Sequence, residues 1–193
     1  KIPLEKSVLS LIARPSIGSI AFISQQYDHE VQGTSVTKPL QGRGRVNNDS
    51  GVIQPLPNSR KGVVLSHGYF PWYSDIDTYH MAAASIDTAV RNAVCSGASL
   101  DHLAILDNFC WSSSNTAERL YELKKSAEAV YDVAVAYGTP YISGKDSMFN
   151  DFRGFNSKGE KVHIEAPPTL LISAMGVIDD VSVANTLDFK AEG

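Results

Sequence analysis

Cysteine is scarce: Cys95 and Cys110 are the only two in 193 residues, and no CxxC spacing is present. That argues against a disulfide framework or a zinc ribbon and fits free thiols in a reducing, cytoplasmic compartment. No apolar run reaches the roughly 18 residues that span a bilayer, and no signal-peptide pattern opens the chain. Positive charge is not in excess: the net charge is -4 and the pI is about 5.7. A broad basic surface of the kind that attracts nucleic acid is therefore not expected. The five histidines show no HExxH spacing, and neither a Walker A loop nor a GxGxxG turn is present. What is there suits a core: hydrophobic residues make up 43% and charged residues 20%, ordinary globular usage for a chain of about one domain. Lys1 where a Met would stand, and a tail after Ala184 that starts a segment without finishing it, predict cuts in a longer chain.

Periodicity supplies the elements. Leu4, Val8, Leu11 and Ile12 have helical spacing, ended by Pro15. Residues 17–26 form a second short helical pattern. Residues 34–38 alternate and are β-branched, which predicts a strand. Residues 41–48 read as a polar loop; Gly42-Arg43-Gly44 in it belongs to no GxGxxG. Strands are expected at 51–54 and 62–66, then an aromatic, acidic loop at 67–78. Met81, Ile86, Ala89, Val90 and Ala93 mark a long helix over 79–96, closed by Gly97. A strand at 102–106 is followed by a loop at 107–115. A second long helix runs over 116–137, opened by Thr116 and closed by Gly138. A short strand at 140–143 leads into a loop at 144–147, a Gly-rich hairpin follows from 151, and an apolar strand fills 169–178. The order predicts an α/β (α+β) fold with a mixed or antiparallel sheet and helices on one face.

Three segments have the chemistry of a site. In Leu106-Asp107-Asn108-Phe109-Cys110-Trp111 a carboxylate directly follows an apolar strand, where it can hold a metal or a ribose, or simply cap a turn. In Ile142-Ser143-Gly144-Lys145-Asp146-Ser147 small residues let backbone amides approach an anion, Lys145 adds charge and Asp146 can ligate Mg²⁺; an ordinary turn is the alternative. In Val46-Asn47-Asn48-Asp49-Ser50-Gly51, Asp49 offers an oxygen ligand for Mg²⁺ or sits in a β-turn. Asp75 and Asp77 read as caps of the following helix rather than as paired catalytic carboxylates. These residues point to an anion and Mg²⁺ site but name no reaction.

Five words stand in one order: Gln26-Tyr27-Asp28-His29-Glu30-Val31-Gln32-Gly33; Met81-Ala82-Ala83-Ala84 with Ala89-Val90-Arg91-Asn92; Leu106 to Trp111 as quoted; Tyr141 to Ser147; and Pro167-Pro168-Thr169-Leu170-Leu171-Ile172-Ser173-Ala174. Together they resemble the formylglycinamide ribonucleotide amidotransferases, also called phosphoribosylformylglycinamidine synthases. The resemblance implies the N-terminal domain of the second of two tandem halves, each similar to aminoimidazole ribonucleotide synthetase. It divides the chain into a helical linker at 1–26, a nucleotide-binding domain at 27–180 and the start of a linker to a C-terminal domain at 181–193. Such domains pair through their sheets, with nucleotide and substrate in clefts beside the pairing. The implied reaction takes formylglycinamide ribonucleotide, ATP and glutamine-derived ammonia to formylglycinamidine ribonucleotide, ADP and phosphate.

The resemblance also assigns residues. Asp107 and Gly144 match ATP contacts and Ser147 a substrate contact. Lys145 replaces an Asn that binds Mg²⁺ in many members; an ammonium cannot ligate a metal but can hold phosphate, and Asp146 is the adjoining candidate ligand. Asp49 and Asn92 match Mg²⁺ ligands of an auxiliary nucleotide site, although Thr88 stands where that site has an acid. His67-Gly68-Tyr69-Phe70 lacks the Gly-rich, Lys-bearing pattern of the synthetases. No catalytic base is expected here. The implied partners are the first synthetase half, the C-terminal domains and a glutaminase domain or subunit. The chain alone is expected to be inactive and to form a homodimer that mimics the native pairing. The competing reading is a degenerate structural domain that binds no nucleotide.

Overall fold

A computed structural model describes residues 3–26, 29–43 and 45–192. Two short helices come first, α1 (Leu4–Ile12) and α2 (Ala21–Ser24), and neither buries a residue. The expected strand at 34–38 is reduced to one bridge, Ser35 to Ile53. The segment does run beside its neighbour, with Val36 N–H donating to the Val52 carbonyl at 2.8 Å. The Thr37 hydroxyl takes the Val52 N–H at 2.8 Å, however, so a side chain stands in for a ladder bond. The expected loop at 41–48 contains a small hairpin, β1 (Leu40–Gln41) with β2 (Val46–Asn47). Gly44, and Tyr27 and Asp28 of the first word, lie outside the described residues.

The remaining strands build one five-stranded mixed sheet. They are β3 (Ser50–Ile53), β4 (Gly62–Tyr69), β5 (Leu103–Cys110), β6 (Tyr141–Ser147) and, after an outlying hairpin of β7 (Asp151–Phe155) and β8 (Lys161–Glu165), β9 (Thr169–Ile178). The order across the sheet is β3-β4-β9-β5-β6. All neighbours are antiparallel except β5 and β6, which are parallel. Parallel neighbours need a long crossover, and helix α4 (Ala117–Tyr137) supplies it.

Helix α3 (Thr78–Cys95) lies between β4 and β5 in the chain. Its start is set by Asp77, whose carboxylate accepts the His80 N–H at 2.9 Å; Asp75 takes no such part. Gly138 closes α4 at φ 69, a left-handed cap that suits a residue without Cβ. The two helices cover one face of the sheet, as expected. Val52, Val64, Leu103, Ile105, Phe109, Leu170, Ile172, Ala174 and Ile178 from the strands meet Met81, Ala82, Ile86, Ala89 and Ala93 of α3 and Ala129 and Ala134 of α4 in a single core. Gly68 sets the spacing: a Cβ there would collide with the Ser85 carbonyl and the Ala89 amide of α3. The helices are tied to each other by Thr78 Oγ1 donating to the Glu122 carbonyl at 2.8 Å and by Tyr137 Oη donating to Asp87.

Among the described residues no long helix covers the opposite face of the sheet. The alternate residues Leu65, Tyr69 and Met175 are 46%, 46% and 42% exposed; Leu65 and Tyr69, with Leu106, Asn108, Cys110, Leu171 and Ser173, line a shallow trough of about 830 Å³. A bare apolar face was expected of such a domain. No helix among the described residues is long and apolar enough to cross a membrane.

Candidate functional site

Asp107 does not follow its strand; it lies within β5, which continues to Cys110. The apolar run ends at Leu106, but the hydrogen-bond ladder does not: Asp107 pairs with Ile172 of β9 on one side and with Gly144 of β6 on the other. The expected loop at 144–147 is likewise strand, the second half of β6. An extended backbone points successive amides to opposite sides, so this segment is not the amide nest that cradles an anion. His67 and Tyr69 belong to β4 for the same reason, and the aromatic loop begins only at Phe70.

The register brings the candidates together. Gly144 lies against Asp107, and a Cβ at that position would collide with Asp107 Oδ1. A glycine is required here so that the carboxylate can lie across the β5–β6 junction. The nearby Lys145 backbone N–H favours its charged form. Lys145 and Asp146 are exposed and Ser147 is half-buried. Ser147 is fixed through its carbonyl, which accepts the Trp111 N–H at 2.8 Å and Asn150 Nδ2 at 2.8 Å. Burial, and then the charge of Asp146, hold the Asp107 carboxyl above the usual carboxylate range. Two carboxylates that repel each other at the end of a strand pair suit a divalent cation, which needs only one or two protein oxygens when phosphates supply the rest. Asp107, Gly144 and Asp146 thus share one face of the strand pair, while Lys145 and Ser147, paired with Asn108 and Cys110, stand on the other face of the same two strands.

A second group surrounds His67: Asp49 lines a cleft with it, and Asn92, which does not line that cleft, reaches its carbonyl. Asp49 precedes β3, just before the Ser50–Ser66 pair, so it faces the His67 end of β4. Asn92 Nδ2 donates to the His67 carbonyl at 3.2 Å, which leaves its amide oxygen free of that bond. Asp49, His67, Asn47, Lys38 and Thr37 line a cleft of about 360 Å³, in which the buried Asn47 Oδ1 has no partner. Thr88 packs beside Gly68 on the same side of α3. Four strand spacings of about 4.8 Å separate β3 from β6, so the two clusters are distinct sites. Among the described residues no three His, Cys, Asp or Glu side chains come together as a metal cluster; any metal there needs ligand oxygens from elsewhere. Asn92 and Asp49 supply oxygens of the right type, so the residues fit Mg²⁺ carried on a phosphate and not a free-standing metal centre.

Sequence reasoning gave no role to His67 or to Tyr141. Both sit in strands whose polar residues carry no periodic signal of their own. His67 enters the second cluster only through the β3–β4 register. Tyr141, opposite Ile105, is placed beside Asp107 by the parallel crossover. Cys95 is exposed and Cys110 half-buried, and both thiols are free.

With this geometry in hand, residues 47–178 match the family described as AIR synthase related protein, N-terminal domain. The chain belongs to that family. The AIR synthase-related match takes in both clusters and every strand of the main sheet. Curated relatives extend over nearly the whole chain. The phosphoribosylformylglycinamidine synthase subunit PurL of Picrophilus torridus is 31% identical over 97% of this chain and 24% of its own length. The PurL of Deinococcus radiodurans is 32% identical over 96% of this chain and 23% of its own length. This AIR synthase-related chain therefore spans about a quarter of the relatives it matches. Among solved structures, PurLQS from Thermotoga maritima superposes with a TM-score of 0.68 at 20% identity, covering 89% of this chain and 25% of that one. T. maritima PurL complexed with ATP superposes with a TM-score of 0.62 at 20% identity, over 80% of this chain and 23% of that one. These superpositions give the AIR synthase-related domain its fold.

Proposed function

We propose that this chain is the N-terminal domain of the second synthetase half of a phosphoribosylformylglycinamidine synthase and contributes part of an ATP and substrate site. The full reaction joins ammonia from glutamine to formylglycinamide ribonucleotide at the expense of ATP. The observation that carries the reading is the fit of Asp107 against Gly144 beside Asp146, in a chain whose relatives along almost its entire length are PurL subunits. Solved PurL structures with ATP and with FGAR support the ligand classes. ATP with Mg²⁺ would supply the phosphoryl group and the charge that offsets it.

This chain's own residues bind and orient. Asp107 presents a carboxylate whose charged form the Lys145 amide favours. Lys145 adds an exposed ammonium that can neutralise phosphate. Asp146 is the adjacent metal ligand, and Ser147 faces the substrate from the end of β6. Asp49 and Asn92 serve the auxiliary nucleotide cleft around His67. None of these groups is placed to relay a proton, so the chemistry waits on the first synthetase half, the C-terminal domains and the glutaminase. The open sheet face is where the first half would pair, and a homodimer through that face substitutes for it in the chain alone.

The substitution of Lys145 for an Asn, together with Thr88 for an acid, favours a second reading in which the domain is structural only. Calorimetric titration of the chain with MgADP separates the two. Saturable binding that weakens at least roughly ten-fold in Asp107→Ala is expected, the loss of a charge-assisted contact. Binding unchanged by Asp107→Ala, or no heat at millimolar nucleotide, would leave the structural reading.

A further inference from the structure

We infer that Tyr141 is a positioning residue for Asp107: its buried hydroxyl, which has no hydrogen-bond partner, is the donor that fixes the Asp107 carboxylate when nucleotide binds. The inference rests on the proposed nucleotide role of Asp107. Tyr141 opens β6 directly opposite Ile105 of the parallel neighbour, and Asp107 is the next residue of β5 on that face. A tyrosine leaning along its strand reaches one such step, about 7 Å.

Its Oη is buried and makes no hydrogen bond. Folded proteins pair more than about nine in ten buried polar groups, and the exceptions ask for an explanation. The usual explanation, a trapped water, needs several polar partners around one point. The groove of about 600 Å³ that Tyr141 lines is mostly apolar, with Val130, Ala134 and Val135 of α4 and Pro140, and its other polar side-chain groups are the Tyr131 and Thr139 hydroxyls. The one ionic neighbour that registers at the phenol is Asp107. Burial, then that charge, raise the Tyr141 phenol, so it keeps its proton and can donate to a carboxylate. Asp107, once ionised, can only accept. An ionised Asp107 carboxylate one step along the strand is thus the acceptor for the unused Tyr141 O–H.

The test compares Tyr141→Phe with the unaltered chain by thermal melting and by MgADP titration, each repeated in an Asp107→Asn background. Removing an unpartnered buried hydroxyl should leave the melting temperature unchanged or raise it. MgADP should bind roughly ten-fold more weakly, and the Asp107→Asn background should abolish that difference. Thr139→Val removes another buried, unpartnered hydroxyl from the same groove, and it should leave MgADP affinity untouched. A lowered melting temperature with unchanged affinity means the hydroxyl is already satisfied and overturns the inference. So does a loss of affinity that persists in Asp107→Asn. A silent Tyr141→Phe beside a damaging Asp107→Asn overturns this inference alone. If neither change, or no form of the chain, affects MgADP binding, the nucleotide reading falls with it.

Discussion

The two faces of the sheet are made from the same strands, yet they are finished to different degrees. Toward the helices Ile172 is fully buried and Val64 meets α3; one residue along, Leu171 and Leu65 line an open trough. Period-two alternation normally sorts apolar residues inward and polar residues outward. Here both sets are largely apolar, which marks a sheet with two covered faces and only one cover in the chain. On the proposed pairing, stability and assembly are divided between the faces: one holds the domain together, the other would make the contact.

The strongest way to probe that division is a pair of adjacent truncations. Ile172→Ala should cost about 2–5 kcal/mol in denaturant unfolding. Leu171→Ala should cost about 1 kcal/mol at dilution, because less surface returns to water, and more as protein concentration rises. Equal losses at all concentrations would mean that the faces do not differ. A second experiment breaks the open face without touching the core. Leu65→Glu with Met175→Glu, its register partner, places charge on the open face and should weaken self-association at least roughly ten-fold in sedimentation equilibrium. An unaltered chain that stays monomeric at tens of micromolar would end the pairing proposal. The smallest effect lies on the outer surface of the covered face, where Asp87 joins α3 to Tyr137 of α4. Its carboxyl is held below the usual range, by Arg91 first and then by Tyr137. That contribution is present above the ordinary aspartate value and is lost as pH falls through the lowered one. Asp87→Asn should therefore flatten the acid limb of a stability–pH curve, by less than about 1 kcal/mol since the pair is partly exposed. Asp107 runs the other way: its raised carboxyl disfavours the ionised fold as pH rises through that range.

Much of the covered face was legible in the sequence. The apolar run at 169–178 coincides with β9, and the spacing of Met81, Ile86, Ala89 and Ala93 gave α3 to within one residue. Asp77 was readable as a cap. Less legible were the second halves of β4, β5 and β6. His67, Asp107 and Lys145 are polar, and what keeps them extended is pairing with strands distant in the chain, which no local window contains. Asp49, Asp107, Gly144, Lys145 and Asp146 stood out as candidates by their chemistry and position, and Asn92 only through the resemblance. Their division into two clusters needed the strand order, and the orphaned Tyr141 hydroxyl needed coordinates.

Gly68 has one further consequence. With no room for a single methyl between β4 and α3, the helix is keyed to the sheet at that point and cannot slide along it. Sliding of packed layers is one of the two ordinary ways a protein opens and closes around a ligand; rotation about a hinge is the other. A domain keyed in this way moves as one stiff plate, so any gating of its clefts must come from swinging the whole plate against its neighbours.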